Sequence, residues 1–223
     1  MRFLRENSLS IVFGVLFLAA LVGQSVAGYF EYNEQQRVHM QPPLSYPGYL
    51  FSADFGQSVL ENWQSEYLQF ALFIVATVWL VQRGSPDSKE LERRGRETDE
   101  EQRVGRFADE HSPVAARVGG LRLRVYQHSL FLTMIGIFLV SWIVQSLDGW
   151  SSYNQDLAEH RLPAVGWLGY VGSSTFWEST LQNWQSEFLV IGSVAVFAIY
   201  LRERGVAGSK PVGAARDETG SEG

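Results

Sequence analysis

Two carboxylates stand at equivalent places in two copies of one motif. Glu66 closes Asn62-Trp63-Gln64-Ser65-Glu66, and Glu187 closes Asn183-Trp184-Gln185-Ser186-Glu187. Each copy runs directly into an apolar stretch. If that stretch is a membrane span, the carboxylate lies three residues inside the tryptophan, about 4–5 Å deeper along a helix axis. Gln24 and Gln145 fall at a similar depth, near the ends of two further apolar runs. Asn62 and Glu66 are four residues apart and share a helix face, as do Asn183 and Glu187. Two carboxylates, two glutamines and two asparagines near one level make a candidate polar site for a cation, a proton or a polar headgroup. Ionisable groups are costly at membrane depth and tend to mark function there. The plainer alternative is a clamp, in which each glutamate hydrogen-bonds Gln24 or Gln145 and locks helix to helix for about 1 kcal/mol. Glu66 is interfacial rather than central, which favours the clamp.

The other residues able to ligate a metal or move a proton are His39 and His160, with Glu34, Asp156 and Glu159 nearby in sequence. Their spacings match no zinc-ligand pattern. Each histidine precedes a proline by three residues and reads as an exposed loop side chain. Nucleophile elbows, phosphate-binding loops and zincin motifs are absent. The chain has no cysteine, which excludes disulfides, thiol catalysis and thiolate-bound metals. No cofactor is expected. A net charge of −6 with acidic residues in every polar segment offers nothing to nucleic acid.

What must position these groups is a duplication. The two motifs lie 121 residues apart, and the same offset pairs Gln24-Ser25 with Gln145-Ser146 and Tyr32-Asn33 with Tyr153-Asn154. It also pairs His39 with His160, Tyr49 with Tyr170, and Arg83-Gly84 with Arg204-Gly205. About a third of the positions from 7 to 84 are identical across this gapless offset, the mark of an internal repeat. The polar residues are retained while apolar ones drift, as at Phe73 against Val194.

Four runs are strongly apolar: Leu9–Val22, Tyr67–Val81, Leu130–Val144 and Phe188–Leu201. With their flanking residues each reaches the ~20 residues that span a bilayer. Buried helices of a soluble bundle would carry a polar stripe, and these carry almost none. Trp63 and Trp79 are about 24 Å apart on a helix, and Trp184 and Tyr200 repeat that spacing, as interfacial anchors at both ends of a span would. Of the 18 Lys and Arg, only Arg37 and Arg161 fall between paired spans. The positive-inside rule then puts both termini and the central linker in the cytoplasm. Arg2, Arg5 and Ser25-Val26-Ala27 imitate a cleavable signal peptide. The twin of that segment sits in mid-chain with Asp148 in place of Ala27, so retention as a span is expected.

The expected fold is an all-α membrane protein: four transmembrane helices from two helical-hairpin repeats of the same orientation, related by a pseudo-twofold along the membrane normal. Residues 1–84 form the first repeat, 85–123 a charged cytoplasmic linker, 124–205 the second repeat and 206–223 a disordered tail. The first helix is placed at Ser8–Gly28 and the second from Ser52 to Arg83. Ser52 and Thr175 are the expected N-caps of the second and fourth helices, Thr175 with Glu178 as a capping box.

Gly23-Gln24-Ser25, Tyr32-Asn33, Gln41-Pro42-Pro43, Glu61–Glu66 and Gln82-Arg83-Gly84-Ser85 together resemble an uncharacterised bacterial integral-membrane family known only as a domain of unknown function. The resemblance covers nearly the whole chain. It implies an inner-membrane protein and assigns no activity, cofactor or catalytic residue.

Three function classes follow. The first is a non-enzymatic membrane protein that binds a partner protein, membrane or periplasmic, or lipid through its outer aromatic and polar loops. The second is a transporter or channel for a small ion or solute using Glu66 and Glu187. The inner halves of the second and fourth spans offer only Thr77 as a polar side chain, which opposes permeation through one protomer, though a homo-oligomer evades the objection. The third is a lipid-modifying enzyme, which needs His39 or His160 within hydrogen-bond reach of Glu66 or Glu187.

Overall fold

A computed structural model describes residues 2–220, and among these the chain is all-helical, without strands. Nine α-helices appear: α1 (Arg2–Glu6), α2 (Ser8–Val38), α3 (Tyr46–Leu50), α4 (Ala53–Trp79), α5 (Val114–Val118), α6 (Gly120–Gln127), α7 (Ser129–Glu159), α8 (Trp167–Val171) and α9 (Ser174–Tyr200). Two single-turn 3-10 helices, Leu91–Arg93 and Gly105–Phe107, lie in the linker. Two helices, α2 and α7, are long and apolar enough to cross a membrane.

The bounds of α2 and α7, of α3 and α8, and of α4 and α9 differ by 121 residues at both ends. Backbone irregularities follow the same offset. Met40 and Arg161 both adopt left-handed φ, +56° and +57°, and so do Gly84 and Gly205, at +85° and +88°.

Helix α2 runs ten residues beyond the Gly28 end expected from sequence. Nothing in Tyr29–Val38 breaks a helix, since the stretch has neither proline nor glycine. It stops at His39, just before the left-handed Met40 and the Pro42-Pro43 pair. Helix α4 starts after Ser52, whose Oγ accepts from the Phe55 amide at 3.3 Å, as a cap should. At α9 the cap is Ser173, accepting from Phe176 N at 3.3 Å. Thr175 lies inside the helix instead, because the equivalent of Ser52 is Ser173, two residues earlier. Helices α4 and α9 end at Trp79 and Tyr200, earlier than the Arg83 boundary. Gly95 N takes the Val78 carbonyl at 2.6 Å, and Arg202 Nη1 donates to the Ala198, Ile199 and Leu201 carbonyls at 2.8–3.1 Å.

The chain divides into two compact units. One holds the residues up to Leu60 together with Val144–Val171, and the other holds Glu61–Ile143 and everything from Gly172 on.

In the first unit each connecting segment folds back onto the helix before it through three matched pins. Asn33 accepts from Leu44 N at 2.8 Å and donates to Leu44 O at 3.1 Å. Asn154 does the same with Val165, at 2.9 and 3.1 Å. Ser25 Oγ bonds Tyr46 OH at 2.7 Å, and Ser146 Oγ accepts from Trp167 Nε1 at 3.0 Å. Tyr49 and Tyr170 are both buried, and their hydroxyls lie over Gly28 and Gly149, where a β-carbon would collide with them.

The second unit is held by aromatic packing and two buried amides. Trp142 on α7 packs against Phe138, Phe176, Trp177 and Trp184 with ring centroids 5.8–6.2 Å apart. Contacts of this kind add about 0.5–1.5 kcal/mol per pair to the area they bury. Gln64 is fully buried and accepts from Trp184 Nε1 at 2.8 Å, while Gln69 Nε2 donates to Glu187 O at 3.1 Å. Both bonds join α4 to α9.

Past each of these two helices comes the same turn. Ser88 Oγ accepts from Gln82 N at 2.9 Å, and Ser209 Oγ from Glu203 N at 3.0 Å. The lysine that follows is sequestered in both copies. Lys89 Nζ donates to Gly95 O and Glu97, and Lys210, 1% exposed, donates to the carbonyls of Ala215, Arg216 and Glu218. Two further bonds reach the tail, from Gly84 N to Thr219 Oγ1 and from Gly220 N to Ser85 O.

Candidate functional site

Glu66 and Glu187 share the second unit and are near enough to repel one another electrostatically. Glu66 is exposed and Glu187 partly so. Their motif neighbours shape the backbone beneath them. Ser65 and Ser186 donate back to the Asn62 and Asn183 carbonyls at 2.9 and 2.8 Å. The Asn183 side chain donates to Ser179 O at 3.0 Å and to the Glu61 carboxylate. Burial raises the Glu61 carboxyl above its ordinary range, against the pull of Asn183. Asn62 is exposed.

The glutamines belong to the first unit. Gln24 Nε2 donates to Ser58, at 3.3 Å to Oγ and 3.5 Å to the carbonyl. Gln145 is buried with its Oε1 unpaired. Of the polar residues grouped by depth in the sequence, Glu66, Glu187, Asn62 and Asn183 thus belong to the second unit and Gln24 and Gln145 to the first.

The four aromatic anchors differ in setting. Trp79 and Tyr200 are exposed at the ends of their helices, whereas Trp184 is built into the cluster around Trp142, and Trp63 is half-buried.

His39 Nδ1 meets Glu159 Oε2 at 2.9 Å within the first unit. His160 Nδ1 meets its own helix at Asp156 O, 2.9 Å. The two histidines are thus engaged separately, and no group of three or more His, Cys, Asp or Glu is set to hold a metal among the described residues.

Two features escaped the sequence reading. Asp54 and Asp148 are near neighbours, with the Asp148 carboxylate lying over Gly56. Burial raises the Asp54 carboxyl above its ordinary range. Neither acid is duplicated, so the repeat gave no signal for them. The Ser88-Lys89 and Ser209-Lys210 turns do carry one: the 121-residue offset continues five residues past Arg83-Gly84 and meets identity again.

The family described as a domain of unknown function (DUF6766) matches residues 1–221. The chain belongs to that family. The DUF6766 match takes in both polar motifs, both histidines, the linker and both Ser-Lys turns. Among curated proteins and among solved structures, nothing matches this chain. DUF6766 membership assigns no role to any residue, so the chemistry rests on the geometry above.

Proposed function

We propose that this chain is a small, non-enzymatic, four-span protein of a bacterial inner membrane, built from two like-oriented hairpin repeats, whose outer face binds a partner protein or lipid. Helices α2 and α7 would be the first and third spans. The apolar parts of α4 and α9, from Trp63 and Trp184 inward, would be the second and fourth. The shared bounds of the helix pairs support the repeat, and the Lys and Arg distribution supports cytoplasmic termini.

The observation that carries the binding role is the set of matched pins in the connecting segments. Each pin satisfies polar atoms inside the loop and so fixes the loop, and on these fixed loops stand bare apolar side chains. Met40 is 94% exposed, Phe51 92% and Leu168 77%. A rigid surface with uncovered apolar groups loses little entropy on binding, which suits recognition. A permeation role fits less well, because Thr77, the one polar side chain of the inner halves, donates its hydroxyl to Phe73 O and Ile74 O of its own helix. A lipid-modifying role fits less well too, because both histidines are engaged by Glu159 and Asp156 rather than by Glu66 or Glu187.

The absence of cysteine makes the test clean. Single cysteines at Met40 and Arg161 should react with a membrane-impermeant maleimide in intact spheroplasts, and cysteines at Glu92 and Ala207 only after lysis. Labelling of Glu92→Cys from outside would overturn the topology. Photocrosslinkers at Phe51 and Leu168 should give one adduct of defined mass, lost in Phe51→Ser/Leu168→Ser at unchanged Tm. The absence of any adduct would overturn the binding role.

A further inference from the structure

The linker is basic where it enters α7. Between Gln102 and Leu130 five arginines, Arg103, Arg106, Arg117, Arg122 and Arg124, stand against two carboxylates, Asp109 and Glu110. Arg117, Arg122 and Arg124 are exposed, and their side chains make no hydrogen bond or ion pair among the described residues. The acids of the linker are engaged elsewhere. Asp109 Oδ1 accepts from His111 N, Ser112 N and Ser112 Oγ at 2.8–3.1 Å, and Glu110 stands 3.6 Å from His111. Upstream, Glu97 is taken by Lys89 and Gln102, and Glu101 by Thr98.

Helix α6 leads straight into α7. His128 N donates to Val125 O at 3.3 Å and Leu132 N to His128 O at 2.8 Å, so the two helices are parted by one residue. At 3.6 residues per turn, Leu121 and Val125 form one ridge of α6, with Arg122 and Arg124 on its two flanks. Both ridge residues are exposed, and Leu123, on the opposite side, is half-buried. Helix α5 repeats this order seven residues earlier, with exposed Val114 and Val118, Arg117 beside them and buried Ala116 behind. Apolar side chains alternating with arginines whose heads are unpaired suit the boundary between acyl chains and phosphates.

A hollow of about 580 Å³ lies between the 102–113 loop and the α6–α7 junction, wholly inside the second unit. That is a usual size for a small-molecule site. Its wall carries Arg103, Tyr126, Gln127 and Ser129, and it includes Leu130, where the apolar run of α7 begins. Among the described residues the side chains of Tyr126, Gln127 and Ser129 make no hydrogen bond, so all three are left to donate to an occupant. The one carboxylate of the wall, Asp109, is within electrostatic reach of Arg103 and has its three donors already. It offers little to an ammonium, and the surrounding arginines oppose one.

We infer that the hollow seats the phosphate of one anionic phospholipid of the cytoplasmic leaflet, held by Arg103, Gln127 and Ser129, with Arg117, Arg122 and Arg124 supplying the positive field around it. The inference rests on the membrane reading above and adds a site on the face opposite the outer loops. Each arginine near such a surface is worth about fivefold in affinity, screened by salt beyond about 8 Å.

The test uses the full chain, purified in mild detergent and titrated with phosphatidylglycerol or phosphatidylethanolamine of identical chains, with bound lipid counted by native mass spectrometry. Wild type should retain one phosphatidylglycerol with about tenfold preference over phosphatidylethanolamine, weakening as salt rises. Arg117→Gln/Arg122→Gln/Arg124→Gln should bring the two lipids near parity. Arg93→Gln/Arg94→Gln/Arg96→Gln removes the same charge from the acidic half of the linker and should change nothing. Equal retention of both lipids by wild type, or equal loss in the two triple variants, overturns the site. Glycerophosphoglycerol, the same headgroup without chains, should fail to displace the lipid at equal concentration, and displacement would make the site one for a soluble phosphate instead. Should the first triple variant not fold, phosphatidylglycerol with a diazirine near its headgroup decides on the wild type. Adducts within 102–113 and 126–130 support the site, and adducts spread over all helices overturn it. The cysteine topology assay fails separately, so loss of this site and loss of the membrane reading are told apart.

Discussion

The hydroxyl of Tyr49 lies directly over Gly28, where a β-carbon would meet it, and 121 residues later Tyr170 covers Gly149 in the same way. Burial, followed by the charges of Asp54 and Glu31, raises the Tyr49 phenol above its ordinary range, so it stays protonated under any physiological condition. The pair is a steric lock between a helix and the segment that follows it. Gly28→Ala and Gly149→Ala should each destabilise by about 1–3 kcal/mol, the usual cost of overpacking. Tyr49→Phe should recover much of the loss in the Gly28→Ala background by removing the colliding oxygen. Gly14→Ala and Gly23→Ala, where a β-carbon would meet nothing within 4 Å, serve as controls and should be neutral or stabilising. Thermal unfolding in detergent reads all of these, and equal loss in the controls would remove the lock.

The Trp184–Gln64 bond makes a different prediction. Trp184→Phe keeps a ring in the aromatic cluster but leaves the fully buried Gln64 oxygen without its donor. An unsatisfied buried acceptor costs about 1–3 kcal/mol, so the variant should lose that much stability. Trp184→Phe/Gln64→Leu should regain part of it, since no polar atom is then stranded. A Trp184→Phe variant as stable as wild type would show that the bond contributes nothing.

Asp54 and Glu61 predict a pH effect of definite sign. Burial raises both carboxyls in the folded chain. Their protonated forms are therefore favoured by folding, and the stability they lend is complete below the ordinary carboxylate value of about 4 and is lost as pH climbs through the raised values. Asp54→Asn/Glu61→Gln removes this loss. Its Tm should exceed that of wild type at pH 7, and the gap should close as pH falls towards 4. A gap that instead widens on acidification would mean that the ionised carboxylates have favourable partners in the folded state.

Glu66→Gln/Glu187→Gln removes the repulsion between the exposed Glu66 and the partly exposed Glu187 carboxylates while keeping their shape. The double variant should be as stable as wild type or more so at neutral pH, as when a charged pair is held for function at some expense of stability. A clear loss at every pH from 5 to 8 would make the pair a structural clamp. Thermal unfolding followed across that range distinguishes the two.

Much of the helical scaffold could be read from the sequence, and the reasons are physical. Long apolar runs bounded by serine caps and Pro-Gly breakers announce helices, so α2, α4, α7 and α9 were placed to within a few residues at most ends. The errors have local causes. Helix α2 overran Gly28 because Tyr29–Val38 lacks a breaker, though its polar composition resembles a loop. The α9 cap falls on Ser173 rather than Thr175 because the hydroxyl must accept from an amide three residues on, and a capping-box spacing alone does not show which residue is extended. The polar site was less legible. Depth along the spans sets Gln24 or Gln145 beside each glutamate, but the Gln24 amide meets Ser58, on the first turns of α4, and depth does not report the rotation of a side chain. Asp54 and Asp148 lie 94 residues apart and outside the duplicated set, so only the folded chain brings them together.

The loop pins have a consequence for the order of events during synthesis. Ser25 with Tyr46, Asn33 with Leu44 and Gly28 with Tyr49 join partners no more than 21 residues apart, all inside the first half. A ribosome that has just finished α4 has already supplied every atom these contacts need. The His39–Glu159 bridge, by contrast, must wait for the end of α7. The first half can therefore leave the ribosome with its loop already closed, and the second half arrives to find a finished surface to pack against.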